Sequence, residues 1–230
     1  MFAGHVGAAL AIGRAERRVN VGALVFAAFL LDFLLWLFIL LGWESATIPA
    51  DYTRTHQVAF VFPYSHGLIA AIAWSAIAGA CMFVLRPGLF VARRRLGLFV
   101  AAAVFSHWLL DALVHVPEMP LIGSGPTKLG LGLWQDMPLA LGIEGLVLVA
   151  GFCLFVSGRR LSKARTVGLG VLSILLFAVT VIGMTAAPAP PSADVMALSS
   201  LVTVVVVSVL VGWFARSARG ESRGSPTWLN

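Results

Sequence analysis

Apolar residues run in long blocks along this chain, broken at intervals by short polar stretches that often carry arginine. A helix rises about 1.5 Å per residue, so about 20 consecutive apolar residues cross the hydrocarbon of a bilayer. Six stretches meet that length: 21–42, 58–85, 96–116, 133–156, 167–187 and 195–215. Residues 1–13 are apolar but too short to span. The pattern predicts an all-α integral membrane protein of six transmembrane helices plus a short N-terminal half-membrane or interfacial helix. The opening MFAGHVGAALAIGRAERR has its arginines after the apolar stretch rather than before it. That is the wrong order for a secretory signal, so the segment is expected to remain.

Composition agrees: 60% of the residues are hydrophobic and 11% charged, against about 25% charged in a soluble domain. The net charge of +6 is spread over the loops. Arg14, Arg17 and Arg18 precede the first span. Arg86, Arg93, Arg94 and Arg95 follow the second, and Arg159, Arg160, Lys163 and Arg165 the fourth. Arg216, Arg219 and Arg223 follow the sixth. These are 14 of the 16 basic residues; the alternate loops hold only Arg54 and Lys128. Basic loops stay cytoplasmic, so both termini are expected there. Scattered over four loops, these charges offer no nucleic-acid surface. Cys81 and Cys153 lie in apolar runs without CxxC spacing and are expected as small buried hydrophobes. The Trp and Phe residues are expected mostly at lipid-facing or interfacial positions.

Ionisable residues inside the spans carry the chemical information. Each acidic side chain at a helix centre costs about 2.5–3.5 kcal/mol, yet the first four spans hold Asp32, His66, His107, Asp111, His115, Asp136 and Glu144. His107, Asp111 and His115 are spaced by four and share one helix face. Asp136 and Glu144, eight apart, share another. At about 1.5 Å per residue from the arginine-poor end, Asp32, His66, His107 and Glu144 lie roughly 12–17 Å deep and Asp111 about 9 Å. Inward carboxylates and histidines at one level of a bundle build metal sites. His5 joins them if the N-terminal helix dips inward. A polar line from His115 through Asp111 predicts access from the arginine-poor side. Glu44, His56 and Glu118 read as loop residues.

The organisation expected is therefore a site-bearing core over residues 1–157, a scaffold helix pair over 158–215 and a cytoplasmic tail over 216–230. Neutral imidazoles with carboxylates suit a divalent transition metal, zinc first, and a bound metal makes water a nucleophile near neutral pH. His66, His107 and Asp111 are the first candidate ligands, with Asp32 and His5 as further ones. Glu144 is the candidate general base, with Asp32 a second catalytic candidate.

The segment FSHWLLDALVHVPEMPL, with SHxxxD in an apolar helix, resembles the bacterial membrane-bound metal-dependent hydrolases, the YdjM-like inner-membrane proteins. Gly4-His5, Asp32 in the first span and Tyr64-Ser65-His66-Gly67 fall in the order of that family's pattern, over about residues 1–155. The chain departs from it in having LLDF where the family often has two aspartates, and VFPY where it often has a further histidine. The resemblance implies a bacterial inner-membrane hydrolase acting on an ester or phosphoester, with the bilayer as its surroundings and a lipid as one possible substrate. The family is distantly similar to zinc-dependent phospholipase C, an all-α enzyme. Three non-enzymatic readings stay open: a haem-binding protein ligated by His66 and His107, a proton or ion pathway, and a structural component of a larger membrane complex.

Overall fold

In hydrocarbon a backbone must satisfy its own N–H and C=O groups, and runs of Leu, Val, Ala and Phe do so as helices. The computed structural model describes residues 1–85 and 87–216; Arg86, and the tail from 217 onward with Arg219 and Arg223, lie outside the described residues. The helices are α1 (Phe2–Ala15), α2 (Val21–Ala28), α3 (Leu30–Leu40), the single turn α4 (Tyr52–Thr55), α5 (Leu68–Leu85), α6 (Phe90–Val114), α7 (Met137–Ser157), α8 (Lys163–Thr185) and α9 (Ala193–Phe214). The last five are each long and apolar enough to cross a membrane. Taken as one span, α2 and α3, bent by 52° at Phe29, make a sixth. The described residues thus form an all-α, multi-pass membrane protein with five spans, six with the bent pair, and a short N-terminal helix. Side-chain caps start several helices: Asn20 accepts from Gly22 N–H, Asp136 from Leu139 N–H, Ser162 from Arg165 N–H and Ser192 from Val195 N–H.

Glycines let backbones meet where lipid offers no hydrophobic drive for association. A Cβ on Gly7 of α1 would stand 2.6 Å from the Leu148 Cα of α7, and Gly151 opposes it. The Gly22 and Gly212 backbones make a like contact between α2 and α9, and those of Gly79 and Gly97 join α5 to α6.

One end of the bundle gathers the arginine-rich loops around α1. Glu16, buried, pairs with Arg95 at 2.7 Å and with Arg18 at 3.5 Å. Arg95 also donates to the Ala15 carbonyl, Arg159 to the Gly13 and Arg17 carbonyls, and Arg17 to the Gly158 carbonyl. Arg95 and Arg159 thereby cap C-terminal carbonyls of α1, while Arg17 ties the loop after α1 to the end of α7. The other end carries two short antiparallel hairpins, β1 (Ser45–Thr47) with β2 (Ala59–Val61), and β3 (Met119–Pro120) with β4 (Lys128–Leu129).

Two expectations need correction and two gain detail. The second span starts at Leu68, not near residue 58, because VAFVF supplies β2 and a turn; His66 therefore precedes α5 rather than lying within it. Cys81 and Cys153 are exposed on their helices, not buried. Phe29, Trp36, Phe62 and Trp108 belong to the core rather than to the lipid-facing surface. Glu44 is a loop residue but a buried one.

Candidate metal centre

The helical period stacks His107 and Asp111 one turn apart on α6, and both are buried. The bend at Phe29 starts α3 beside them, placing Asp32 in its first turn, where the helix N-terminus favours a carboxylate. The turn before α5 brings in His66, held by Trp108 Nε1–H donating to the His66 carbonyl at 2.9 Å. Irregular backbone here is tolerated because protein surrounds it.

One atom from each of Asp32, His66, His107 and Asp111 lies within 4.8 Å of the others. His66 Nε2 stands 3.1 Å from His107 Nε2, 3.5 Å from Asp32 Oδ1 and 3.6 Å from Asp111 Oδ2. His107 Nε2 stands 3.6 Å from Asp32 Oδ1 and 3.0 Å from Asp111 Oδ2. Four ligand atoms tetrahedrally placed at about 2.0–2.1 Å from a cation stand about 3.3 Å from one another. The five separations bracket that value.

Neighbouring groups settle the tautomers. His107 Nδ1 meets the Ala28 carbonyl at 2.7 Å; a carbonyl only accepts, so Nδ1 carries the proton. His66 Nδ1 meets Ser65 Oγ at 2.9 Å. Ser65 spends its own proton on Glu44 Oε2 at 2.7 Å, so it accepts from His66. Glu44 Oε1 accepts in addition from the Tyr64 and Ser65 N–H groups, each at 2.8 Å. Burial pushes the Glu44 carboxyl above its ordinary range, with these donors opposing. With Nδ1 engaged in each ring, both Nε2 atoms face each other and two carboxylates. A proton relieves one such pair of atoms, whereas a divalent cation relieves all four.

The remaining candidates fall into place around this cluster. The His5 ring stacks on His107 with centroids 3.9 Å apart. Its Nε2 is 3.2 Å from Asp111 Oδ1, yet neither ring nitrogen makes a hydrogen bond. His5 thus stands beside the four converging residues without being one of them. The Met1 amino group lies 2.9 Å from the same oxygen. Glu144 is buried on α7 and accepts from Gly4 N–H at 3.2 Å. Asp136 is exposed and caps α7 rather than facing the site. His115 is buried, 3.8 Å from Asp111 Oδ2, and bonded to Glu118 at 2.6 Å.

A cavity of about 370 Å³ reaches the cluster. It does so past Asp32 and Glu144, not along the expected line of His115 and Asp111, neither of which lines it. Asp32 is the most open of the four, its side chain 26% exposed against 0–4% for the others. Helices α8 and α9, expected as scaffold, form one wall of this cavity. Sequence reasoning passed over Glu16, and it left Glu44 in a loop; only the second touches the site, through Ser65. The Glu44 carboxylate sits outside every apolar run, so no misplaced charge signalled it. Comparisons of the chain with family models, with curated proteins and with solved structures find no match.

Proposed function

We propose that this protein is a membrane-embedded, metal-dependent hydrolase of esters or phosphoesters, of the kind its likeness to the YdjM-like proteins implies. The observation that carries the reading is the convergence of two imidazole Nε2 atoms with two carboxylates. His66, His107, Asp111 and Asp32 would hold zinc, and His5 is placed to add a further nitrogen. A bound divalent cation there supplies Lewis acidity and makes water more acidic. Glu144, facing the cavity beside Asp32, takes the proton released by water. Asp32 has two tasks, ligation and contact with the substrate at the cavity end. The chain resides in a bacterial inner membrane with its arginine-rich loops and both termini in the cytoplasm.

The haem alternative fits the geometry poorly. Axial imidazole nitrogens at about 2.0 Å on either side of an iron stand about 4 Å apart with the macrocycle between them. Here the nitrogens are 3.1 Å apart, with carboxylates at the same point.

Metal analysis of the purified protein, paired with ester and phosphoester assays, tests the proposal. About one equivalent of zinc is expected, with hydrolysis lost on chelation and restored by Zn²⁺. A well-folded, metal-free protein that neither takes up nor responds to zinc would overturn it.

A further inference from the structure

The 370 Å³ cavity has two chemically distinct ends. At one end stand Asp32 and Glu144. The rest is walled mainly by Trp36, Phe60, Val179, Met184, Met196 and Val204. Three of the hydroxyls on that wall are internally bonded: Thr180 donates to the Leu176 carbonyl, Ser199 to that of Met196 and Thr203 to that of Ser199. They therefore present carbon to the cavity and ask for no polar partner. Among the described residues neither lysine nor arginine lines it, and the amino group of Met1, which does line it, is engaged by Asp111 at 2.9 Å.

The position of the opening matters as much. Val179, Ser199 and Thr203 line the cavity and are also exposed. They lie six, six and ten residues from the α8 and α9 ends that face the hairpins, about 9–15 Å along the helices. An exposed rim at that depth faces lipid. Across His56, Gln57 and Trp134 lies a second cavity of about 610 Å³ among the loops, and only Gln57 Nε2–H donating to the Trp134 carbonyl at 3.3 Å joins these two loop segments among the described contacts. Water thus has a reservoir on the far side of the partition.

We infer that this cavity binds a neutral, single-chain amphiphile that enters sideways from the bilayer between α8 and α9. Its chain lies against the apolar wall and its ester group meets Asp32 and Glu144. A volume of 370 Å³ lies near the low end of the range of about 300–1,000 Å³ for small-molecule sites, which suits one chain rather than two. Two carboxylates at the polar end, with no lysine or arginine and with the Met1 ammonium already paired to Asp111, disfavour a phosphate head and favour a carboxylic ester. That the amphiphile is a substrate rests on the hydrolase reading above. In that reaction the oxygen of water bonds to the acyl carbon and the acyl C–O bond breaks. One proton of water reaches the departing alcohol by way of Glu144, and the other is released as the product ionises to a carboxylate.

Gly183 offers a clean test, because it lines the cavity and a Cβ there meets nothing within 4 Å. Gly183→Leu fills the site without disturbing the helix. The probe is a monoalkylglycerol ether with bromine in its chain, which cannot be hydrolysed and quenches Trp36 and Trp134. Wild type is expected to show saturable quenching, and Gly183→Leu, with unchanged metal content, a weakening of about tenfold or more. With metal-loaded protein, Gly183→Leu should lose turnover of monooleoylglycerol while hydrolysing para-nitrophenyl acetate within about twofold of wild type. Quenching unaffected by Gly183→Leu, or a preference for a lysophospholipid phosphoester over the neutral ester, overturns the inference and leaves the hydrolase reading standing. Saturable quenching that Gly183→Leu abolishes, in a metal-loaded protein that hydrolyses no ester, supports the binding site and sinks the hydrolase reading instead.

Discussion

The Nε2 atoms of His66 and His107 stand 3.1 Å apart, each ring held from behind, one by Ser65 and the other by the Ala28 carbonyl. Two carboxylates stand beside them, so the four groups are held together by a proton or by a metal cation. The arrangement stores a demand for a cation within the fold.

Removing one nitrogen should abolish that demand. His107→Ala is expected to lower zinc affinity by more than about 100-fold, beyond what a residue behind the ligands contributes. Thermal unfolding gives a second reading. At a free zinc concentration of about 100 Kd, wild type gains roughly 2.7 kcal/mol, and the variant should gain nothing. Equal zinc-dependent stabilisation of both proteins would show that metal binds elsewhere.

The groups behind the ligands make a subtler prediction. Ser65→Ala removes the acceptor that keeps the proton on His66 Nδ1, freeing the ring to swap tautomers. Zinc affinity is expected to fall about 10–100-fold with the fold retained. Glu44→Gln should act in the same direction through Ser65, and the double variant should lose little more than either single one. Competition with a chromophoric chelator measures all three; fully additive losses would mean that the two residues do not act as one relay.

Gly151 tests the seating of α1. A leucine there must displace the Gly7 backbone, at a cost of about 1–3 kcal/mol if the bundle holds. The shift should carry His5 and the Gly4–Glu144 hydrogen bond with it. Cysteines placed at Ala8 or Ile12 should then label faster than in the parent. Unchanged labelling, with zinc affinity intact, would show that α1 is positioned from its arginine-capped end alone.

Single cysteines at Lys128 and Arg160 address orientation. With the arginine-rich end in the cytoplasm, an impermeant reagent applied outside the cell should label the first and spare the second. Labelling of both from one side would break the alternation of six spans.

Much of this site could be read from the chain, and the reasons are specific. His107 and Asp111 were legible because a helix period converts a spacing of four into contact. Asp32 stood out because a carboxylate in LLDFLLWL is costly unless something holds it. The bend at Phe29 was not legible: AAFLLD contains neither proline nor glycine, and the sequence reads as one straight span. His66 was placed at the right level on the wrong element, since the apolar pattern of VAFVF does not separate a short strand from a helix start. The wall built by α8 and α9 left no trace, because a cavity lined by Val, Met and helix-bonded Ser and Thr uses the same residues as a lipid-facing surface.

The seating of α1 bears on how the protein is made. Its close partners Gly151, Glu144 and Gly158 lie about 140 residues further along the chain. A ribosome adding about 5–20 residues per second needs several seconds or more to reach them. Until α7 has entered the bilayer, the N-terminal helix lacks the surface that receives it, and Asp111 and His107 lack their cover. The cover over the buried polar cluster is therefore completed only once α7 is in place, and whatever inserts this chain must keep α1 waiting at the membrane surface.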